Sequence, residues 1–376
     1  MNWTHLKGLE KISSPALLVN PDLVQQNIVK MIAIVGGRDA VNRLRPHVKT
    51  HKIPEVVRMQ LDAGITNFKA ATVAEAAMVA AVARDFWPAG SVVSVLLAHQ
   101  PVGPKIDAVV DLTECFPGIR FSVCVDSPVV VAEIERREDF VRTPLDVWID
   151  VDCGMHRTGI PLGDGLDRLR DQIDHSRSLT FAGLHVYDGH LHDSDLDVRR
   201  DQVRRIIDDV CAYDQRFPSP SIVAGGSPTF AIWAGQTGWQ CSPGTTLFWD
   251  DGYQAAFTEL PFQIAAVLLT RVISDLGDGR FCLDLGHKAV AAEMPLDRRV
   301  RFPSFMKTEF ISQSEEHLVI QVDSGSPLAV GDELIAMPTH ICPTVALHDT
   351  VTLIKDAAVT DATWHVTARD RTWDRT

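Results

Sequence analysis

The stretch "RLRPHVKTHK", residues 43–52, begins a regular series of short apolar runs that alternate with helical patterns. Its alternation of apolar and polar side chains predicts a strand. Seven more strand-like runs follow: "NFKAAT" (67–72), "SVVSVLL" (91–97), "IRFSVCVD" (119–126), "LDVWIDVDC" (145–153), "LTFAGLHVYD" (179–188), "PSIVAGG" (220–226) and "QCSPGT" (240–245). Eight βα repeats predict an α/β fold with a parallel (β/α)8 barrel of the TIM type, and a doubly wound sheet is the alternative.

The sequence after residue 255 has a different texture, because short Gly, Asp and Pro turns replace the helical patterns between strand-like runs. These runs are "FQIAAVLLTRVISD" (262–275), "RFCLDLG" (280–286), "HLVIQVD" (317–323), "ELIAMP" (333–338) and "TVALHDTVTLIK" (344–355). They predict a C-terminal all-β domain. We therefore assign residues 11–255 to the barrel and 256–376 to the β-domain, with residues 1–10 packed on the β-domain.

The composition describes an ordinary soluble chain of 376 residues, 45% hydrophobic and 23% charged, which is long enough for two domains. A net charge of −13 argues against nucleic acid as a partner. No apolar run reaches the roughly 18 residues that a membrane-spanning helix needs. Seven scattered cysteines without a CxxC pair and the polar N-terminal stretch "MNWTHLKGLEKISS" predict a cytoplasmic protein with free thiols.

Five of the predicted strands end in polar chemistry: "HVKTHK", "DCGMHRTG", "HVYDGHLHD", "AGGSPTF" and "SPGTT". The C-terminal strand ends of a barrel lie on one face and carry its active site, so this convergence predicts a single site. The loops "GGSPT" (225–229) and "PGTT" (243–246) follow the seventh and eighth strands, where barrels hold phosphate with backbone N–H groups. Two ordinary turns are the alternative interpretation.

A phosphate site combined with a lysine on the first strand suggests pyridoxal phosphate as the cofactor. A lysine amine forms a Schiff base with the cofactor aldehyde only when it is unprotonated. Neighbouring cations, with Arg45, His47, His51 and Lys52 as candidates, are expected to keep one lysine partly neutral. Lys49 and Lys52 both qualify as this lysine. Strand alternation places Lys49 on the same face as His47, so we prefer Lys49.

The motifs, taken in order, resemble those of the D-threonine aldolase and D-serine dehydratase family, which shares the alanine racemase barrel. "RPHVKTHK" is similar to the cofactor-lysine motif of that family, and "GMHRTG" (154–159) is similar to its arginine motif. The opening "SPALLVNPDLVQQNI" (14–28), "GLHVYDGHLH" (183–192), "GGSPTF", "SPGTTLFWD" and "HICPT" (340–344) follow the same order. The resemblance runs over nearly the full chain.

The resemblance implies roles for residues around the cofactor. Lys49 would bind it covalently, with His47 beside it, Arg157 near its phenolic oxygen and Tyr187 near its ring. Phosphate contacts would come from Gly226, Ser227, Thr229, Gly244 and Thr245. Ser242 stands where alanine racemases place an arginine against the pyridine nitrogen, and a hydroxyl cannot supply that positive charge. A homodimer is expected by analogy.

The motif "HICPT" implies a divalent metal in the β-domain, namely Zn, Mn or Mg. His340 and Cys342 are two positions apart, so an extended segment would point both side chains to one side. Imidazole and thiolate are ligands that suit zinc. Aldolases of the family tend to carry His-x-Asp here and dehydratases His-x-Cys, so Cys342 favours the dehydratases, whereas "LDLGHKAVAAEMP" (283–295) is more similar to the aldolases.

We therefore predict a lyase that cleaves β-hydroxy-D-amino acids, as D-threonine aldolase does, to glycine and an aldehyde. His190, His192 or a metal-bound water is the expected base. The alternative is a D-serine or D-3-hydroxyaspartate dehydratase, in which Lys49 removes the α-proton and a keto acid and ammonia form. A racemase is less expected, because the three tyrosines all lie outside the β-domain. A non-catalytic cofactor carrier would not need that domain.

Overall fold

The computed structural model describes residues 1–86, 92–236, 238–305, 307–323 and 328–373. Ser91, the first residue of one predicted strand, and the last three residues of the predicted β-domain lie outside this part of the chain. The described residues form two compact units. The barrel unit contains residues 29–49, 56–244 and 370–373, and the β unit contains residues 1–28, 50–55 and 245–369.

The secondary structure follows the alternation expected for the first two-thirds of the chain. The strands are β1 (Ala16–Val19), β2 (Asn67–Ala70), β3 (Val93–Leu97), β4 (Ile119–Val125), β5 (Leu145–Val151), β6 (Leu179–Val186), β7 (Ile222–Ala224), β8 (Gln240–Cys241), β9 (Ala266–Gly277), β10 (Arg280–Leu283), β11 (Val300–Arg301), β12 (Glu309–Gln313), β13 (Leu318–Gln321), β14 (Glu333–Pro338), β15 (Thr350–Lys355) and β16 (Ala358–His365). The helices are α1 (Pro21–Ile34), α2 (Pro54–Asp62), α3 (Val73–Phe86), α4 (Pro104–Cys115), α5 (Pro128–Glu135), α6 (Glu138–Arg142), α7 (Asp164–Asp174), α8 (Leu196–Arg216), α9 (Phe230–Trp233), α10 (Asp251–Ala256) and α11 (Ile341–Val345).

The barrel unit contains, within the described ranges, seven parallel strands in the order β2 to β8. Each strand pairs with the next one along the chain, and helices fill most of the connections, as in repeated βα units. Residues 44–47 connect the two ends of this sheet, because Leu44 forms a bridge with Cys241 in β8 and His47 forms a bridge with Lys69 in β2. The strand order contains no reversal of the kind that a doubly wound sheet has. The barrel prediction is confirmed.

The expectation of a regular strand over residues 43–50 is wrong. Arg38–Arg43 and Val48–Thr50 are 3-10 turns, and single bridges replace a ladder between them. Pro46 has no N–H to donate, so the segment is held through the N–H groups on either side of it. Arg45 N donates to Cys241 O (2.8 Å) and His47 N donates to Pro243 O (2.8 Å). The segment fills the place of the first barrel strand without strand geometry.

The β unit contains a mixed sheet in the order β12-β13-β10-β9-β1-β15-β16, and β14 joins it through β9. The strand β9 is its centre, since it pairs with β1, β10 and β14. Three strands of this part of the chain, β11, β12 and β16, were not expected from the sequence pattern. The predicted run 344–355 is a strand only from Thr350 onward, because α11 occupies its beginning.

The two compact units do not follow the expected division at residue 255. Residues 11–28, 50–55 and 245–255 are grouped with the C-terminal strands. The reason is visible for β1, which pairs with β15 on one side and β9 on the other. Residues near the N-terminus also contact this unit, as Trp3 Nε1 donates to Ile264 O (3.2 Å).

Two further sequence expectations concern membrane spans and thiols. Within the described residues, no helix combines the length and the apolar character that crossing a membrane would require. All seven cysteines are described, and none of them forms a disulfide bond.

Candidate active site

Lys49 lies in a 3-10 turn, Val48–Thr50, that directly follows the segment connecting β8 to β2. Its side chain is half-buried. Its backbone N–H donates to Nδ1 of His47 (3.3 Å), and His47 is itself buried and bonded to the loop after β8 through Pro243. The backbone of Lys49 is therefore held at the end of the barrel that carries the C-terminal strand ends.

Lys52, the other candidate for the cofactor lysine, has a different environment in the β unit. Its backbone has a positive φ of 55°, and its amine donates to the carbonyl of Ala368 (3.4 Å). The amine of Lys52 is therefore engaged in a hydrogen bond to the backbone of the β unit. The geometry therefore supports the preference for Lys49.

Two of the cations expected to influence Lys49 make other contacts. Arg45 is buried, and its guanidinium donates hydrogen bonds to Gln240 and to the carbonyl of Phe68. Burial lowers its pKa to about 10. His51 is fully buried, and burial together with the charge of Lys52 lowers its pKa to about 3, so its imidazole is neutral. The charge that interacts with Lys49 in the barrel unit is instead that of Lys69.

The loops after β7 and β8 bring amides and hydroxyls together as expected of an anion site. Gly244 N donates to Ser227 Oγ (3.1 Å), so the two loops touch each other. Thr229 Oγ1 accepts from Gly226 N (3.3 Å) and donates to Asp188 (3.0 Å). These residues are buried in the barrel unit, and small hydroxyl and glycine residues of this kind fit a phosphate group.

Ser242 and Thr245, the remaining residues expected in these loops, make other contacts. Ser242 Oγ donates to the carbonyl of Arg45 (3.0 Å), so its hydroxyl stabilises the connecting segment. Thr245 is grouped with the β unit, where its hydroxyl lies 3.4 Å from Cys342 Sγ. Among the phosphate contacts implied by the resemblance, the barrel unit therefore holds Gly226, Ser227, Thr229 and Gly244.

Tyr187 lies immediately after β6 and has two cations near its ring. Arg157 is 5.1 Å and the Lys69 amine 5.3 Å from the ring centroid. Gly189 and Gly226 leave the space that the ring needs, because a Cβ at these positions would come within 2.5 Å and 3.3 Å of it. Arg157 and Tyr187 also line one small cavity in the barrel unit, as the resemblance leads us to expect.

Three buried polar residues of the barrel unit were not predicted from the sequence to interact. Asp150 accepts hydrogen bonds from His185 Nδ1 (2.7 Å) and Thr158 Oγ1 (2.8 Å), and His185 Nε2 lies 3.4 Å from the amine of Lys69. We call Asp150, His185 and Lys69 the interior network. A lysine and a histidine inside apolar strand runs such as "NFKAAT" were its only sequence signal.

The protonation states of the interior network follow from burial and from its own contacts. Burial alone would raise the pKa of Asp150, but the hydrogen bonds from His185 and Thr158 hold that pKa below its ordinary value. Burial and the charge of Lys69 lower the pKa of His185. Burial, with the charge of Lys49, lowers the pKa of Lys69 to about 7. An ionised Asp150 thus accepts from a neutral imidazole, which leaves Nε2 to accept from Lys69.

Cys124 completes a set of three possible metal ligands with Asp150 and His185, whose donor atoms lie within 4.8 Å of one another. A cation does not fit well here. His185 Nδ1 is occupied by Asp150, and the amine of Lys69 lies at Nε2, where a metal would bind. Burial also raises the pKa of the Cys124 thiol well above its ordinary value, so it stays protonated. The arrangement is a hydrogen-bond network.

The two candidate bases, His190 and His192, differ in exposure. His190 is half-buried, and its buried Nδ1 has no hydrogen-bond partner in the described part of the chain. Gly154, in the loop after β5, gives its ring room, because a Cβ there would lie 3.1 Å from Nε2. His192 is exposed. Of the two, His190 has the geometry of a group that is kept available for proton transfer.

His340 and Cys342 are close together, although the expectation of an extended segment is wrong. Cys342 lies in the short helix α11, and His340 immediately precedes it. Pro343 is accepted in the first turn of this helix, where its missing N–H has no cost. The side chains of His340 and Cys342 still form a hydrogen bond across this turn.

The surroundings of this pair fit a metal cation. His340 Nδ1 is 2.8 Å from Glu293 Oε1, an arrangement that commonly orients metal-binding imidazoles, and it leaves Nε2 for a ligand bond. Burial alone would lower the pKa of His340, but Cys342, Asp250 and Glu293 raise it to about 9. The negative groups that stabilise a proton here would also stabilise a divalent metal. Neither Glu293 nor Asp250 was singled out from the sequence, because nothing in the motifs that contain them shows that they approach His340.

Comparison with known proteins identifies the family. The model described as the alanine racemase N-terminal domain matches residues 19–251, more than half of the chain. The chain belongs to this family. A model of a serine dehydratase domain matches residues 265–354, in the β unit.

Two of the relatives that match nearly the whole chain are aldolases. The D-threonine aldolase of Arthrobacter sp. is 27% identical over 96% of this chain and 94% of that protein. The 3-hydroxy-D-aspartate aldolase of Paracoccus denitrificans is 25% identical over 97% of this chain and 95% of that protein. The resemblance inferred from the ordered motifs is thus confirmed.

Solved structures agree with these relatives. The D-threonine aldolase of Filomicrobium marinum has a TM-score of 0.86 at 25% identity and covers 96% of both chains. The D-threo-3-hydroxyaspartate dehydratase of Delftia sp. HT23 has a TM-score of 0.75 at 22% identity over 97% of this chain and 99% of that chain. The second likeness establishes a shared fold.

Proposed function

We propose that this protein is a lyase that uses pyridoxal phosphate and a divalent metal to cleave β-hydroxy-D-amino acids to glycine and an aldehyde. One observation carries the proposal. The chain aligns over 96% of its length with a D-threonine aldolase, and Lys49, Arg157, Tyr187 and the loop after β7 all lie in its barrel unit.

The residues that would hold the cofactor all have suitable chemistry. The amine of Lys49 would bind its aldehyde, with His47 fixing the lysine backbone. Arg157 and Tyr187 would contact its ring, and the phosphate would be held by Gly226, Ser227, Thr229, Gly244 and Thr245, with Ser242 supporting the connecting segment. When bound, pyridoxal phosphate supplies an electron sink for the carbanion left when the Cα–Cβ bond breaks.

His340 and Cys342 would hold the metal, which we expect to be Zn, Mn or Mg. A thiolate ligand favours zinc among these. Glu293 would orient His340, and Asp250 would add negative charge. A divalent metal supplies Lewis acidity toward the β-oxygen of the substrate.

His190 is the preferred base for the β-hydroxyl proton. Its unpartnered, buried Nδ1 and its half-buried ring distinguish it from the exposed His192. A base must also reach the substrate by a hydrogen bond, and metal-bound water is the competing candidate. We therefore expect a larger loss of rate for His190→Gln than for His192→Gln.

A dehydratase is the second candidate, and Cys342 is the observation that favours it. The family resemblance associates His-x-Cys with dehydratases, and a dehydratase of this fold is among the solved structures. In this reaction Lys49 would remove the α-proton, and hydroxide would leave from Cβ. The products would be a keto acid and ammonia. A racemase or a non-catalytic carrier has no comparable support.

The products distinguish the two candidates. Purified protein with pyridoxal phosphate and Mn²⁺ or Zn²⁺ is incubated with D-threonine and separately with D-serine. We expect glycine and acetaldehyde from D-threonine, and no reaction with L-threonine. Lys49→Ala should abolish the reaction, whereas the exposed control Lys355→Ala should retain it. Keto acid with ammonia, and no aldehyde, would instead establish the dehydratase.

A further inference from the structure

Asp188 is a buried carboxylate to which the proposed reaction assigns no role. It follows Tyr187 just after β6 and is 1% exposed. Both of its oxygens accept a hydrogen bond, Oδ1 from the hydroxyl of Thr229 (3.0 Å) and Oδ2 from Nε1 of Trp233 (2.6 Å). Burial raises the pKa of Asp188, whereas these two hydrogen bonds favour its ionised form. A buried carboxylate depends on such partners, because an unpaired one is costly to desolvate.

The hydroxyl of Thr229 links Asp188 to the loop after β7. Its oxygen accepts from the N–H of Gly226 (3.3 Å), while its hydrogen is donated to Asp188. The competing acceptor, the carbonyl of Gly226, is farther away at 3.4 Å. One chain of hydrogen bonds thus ties the loop 225–229 to the end of β6. Because a carboxylate only accepts, Asp188 sets the direction of the Thr229 hydroxyl.

Trp233, at the end of α9, fixes the position of Asp188. Its side chain is fully buried, and its ring stacks on Trp239 with the ring centroids 5.6 Å apart. The ring also lies against Gly225, where a Cβ would come within 2.4 Å of Cδ1. The φ of Gly225 is 78°, a region that glycine enters freely. The indole N–H is therefore held toward Asp188.

We propose that Asp188, held by Trp233, is a positioning residue for the cofactor phosphate. By orienting the Thr229 hydroxyl, it keeps the loop 225–229 in the conformation that binds pyridoxal phosphate in preference to pyridoxal. The inference rests on the proposed function, which places the phosphate at this loop. Asp188 acts through Thr229 and not through a contact of its own with the phosphate.

The test compares the affinities of cofactor-free, full-length protein for pyridoxal phosphate and for pyridoxal, which lacks the phosphate, by the absorbance change on binding. Asp188→Asn keeps the size of the side chain but turns one of its two acceptors into a donor, so Thr229 and Trp233 cannot both donate to it. The ratio of the two affinities should fall about tenfold, because a hydrogen bond to a charged group is commonly worth about that factor. The affinity for pyridoxal should stay unchanged.

Asp146→Asn is the matched control. Asp146 is also buried, and it pairs with Arg120 near the start of β5, away from the loops at the C-terminal strand ends. This variant should be less stable than the wild type but keep its affinity ratio. An unchanged or higher ratio in Asp188→Asn, or an equal fall in Asp146→Asn, would overturn the inference.

A double-mutant cycle separates positioning from a purely structural role. In a Thr229→Val background the hydroxyl that Asp188 orients is gone, so Asp188→Asn should change the ratio much less than it does in the wild type. Equal changes in both backgrounds would show that Asp188 does not act through Thr229, and would overturn the inference.

Trp233→Phe keeps the proposal testable if Asp188→Asn does not fold. It removes the indole N–H that holds Asp188 and retains an aromatic ring against Gly225. The ratio should fall several-fold, because one hydrogen bond to the carboxylate is lost. A ratio equal to that of the wild type would count against the inference.

The wild-type protein shows whether the inference or the proposed function has failed. A wild type that prefers pyridoxal phosphate, with the same preference in Asp188→Asn, would overturn only the role of Asp188. A wild type that binds both compounds equally well, or binds neither, would overturn the proposed phosphate site and the inference with it.

Discussion

His51 shows how one residue of the ionisable segment 43–52 contributes to stability rather than to chemistry. It is fully buried, its Nδ1 accepts from Ile53 N (3.1 Å), and its ring meets Phe248 edge-on at 6.3 Å. Burial lowers its pKa to about 3. Below its ordinary pKa, the unfolded chain gains a proton that the folded protein excludes. Folding stability therefore falls as pH decreases from about 6.5 toward 3.

We predict that His51→Gln reduces the acid sensitivity of the protein. The buried neutral imidazole should account for about 1.4 kcal/mol of the stability lost between pH 7.5 and 5.5. Urea unfolding of cofactor-free protein, followed by tryptophan fluorescence at both pH values, measures this loss. His5→Gln, at an exposed histidine, is the control. An equal loss in wild type and His51→Gln would contradict the prediction.

At the residue scale, the sequence singled out candidate cofactor residues but not the groups that contact them. Lys49, Arg157 and Tyr187 were chosen because they lie in motifs at strand ends. Lys69 was missed because a single lysine in a short strand does not reveal which way its side chain points. Glu293 was missed because its contact with His340 joins residues 47 positions apart.

At the scale of elements, the end of β6 depends on the absence of a side chain at Gly189. A Cβ there would lie 2.5 Å from Cε1 and Oη of Tyr187, far closer than van der Waals contact. Gly226, in the loop after β7, approaches the same ring from another direction. The absence of a side chain at these two glycines thus makes room for one aromatic ring.

We predict that Gly189→Ala destabilises the cofactor-free protein by about 1–3 kcal/mol, the usual cost of overpacking. The same change in a Tyr187→Ala background should cost much less, because the ring that it meets is gone. Urea unfolding of the four proteins in this double-mutant cycle measures the difference. Equal costs in both backgrounds would show that Gly189 is needed for another reason.

Elements were predicted well where a pattern acts over several residues. The apolar runs of β2 to β7 were found because buried parallel strands need continuous apolar side chains. Residues 43–50 were misjudged, because Pro46 removes a ladder hydrogen bond that periodicity cannot detect. The geometry at His340 and Cys342 was also misjudged, since a one-turn helix leaves little periodic signal.

At the scale of the whole molecule, the chain passes from one unit to the other next to residues that we propose for the site. Lys49 is the last residue of a barrel-unit segment, and Thr50 is the first residue of the next β-unit segment. The Oγ1 atom of Thr50 lies 3.2 Å from Cys342 Sγ. Gly244 and Thr245 form a second crossing point. The sequence predicted two domains, but it could not show these crossings, because they depend on pairings between distant strands.

We expect the protein to be a homodimer, as the resemblance to the alanine racemase fold implies. Light scattering coupled to size-exclusion chromatography should give a mass of twice the 41.4 kDa of the chain. Dilution over a hundredfold range should leave this mass unchanged if the dimer is needed for function. A monomer with full activity would contradict the expectation.

The most direct test of the central claim is to locate the cofactor in the purified protein. Holoenzyme is reduced with borohydride and digested, and the peptides are sequenced by mass spectrometry. We predict one pyridoxyl group per chain, on Lys49, and none in Lys49→Ala. A pyridoxyl group on Lys52, or no stable attachment in wild-type protein that absorbs no visible light, would contradict the assignment of this chain as a pyridoxal phosphate enzyme acting through Lys49.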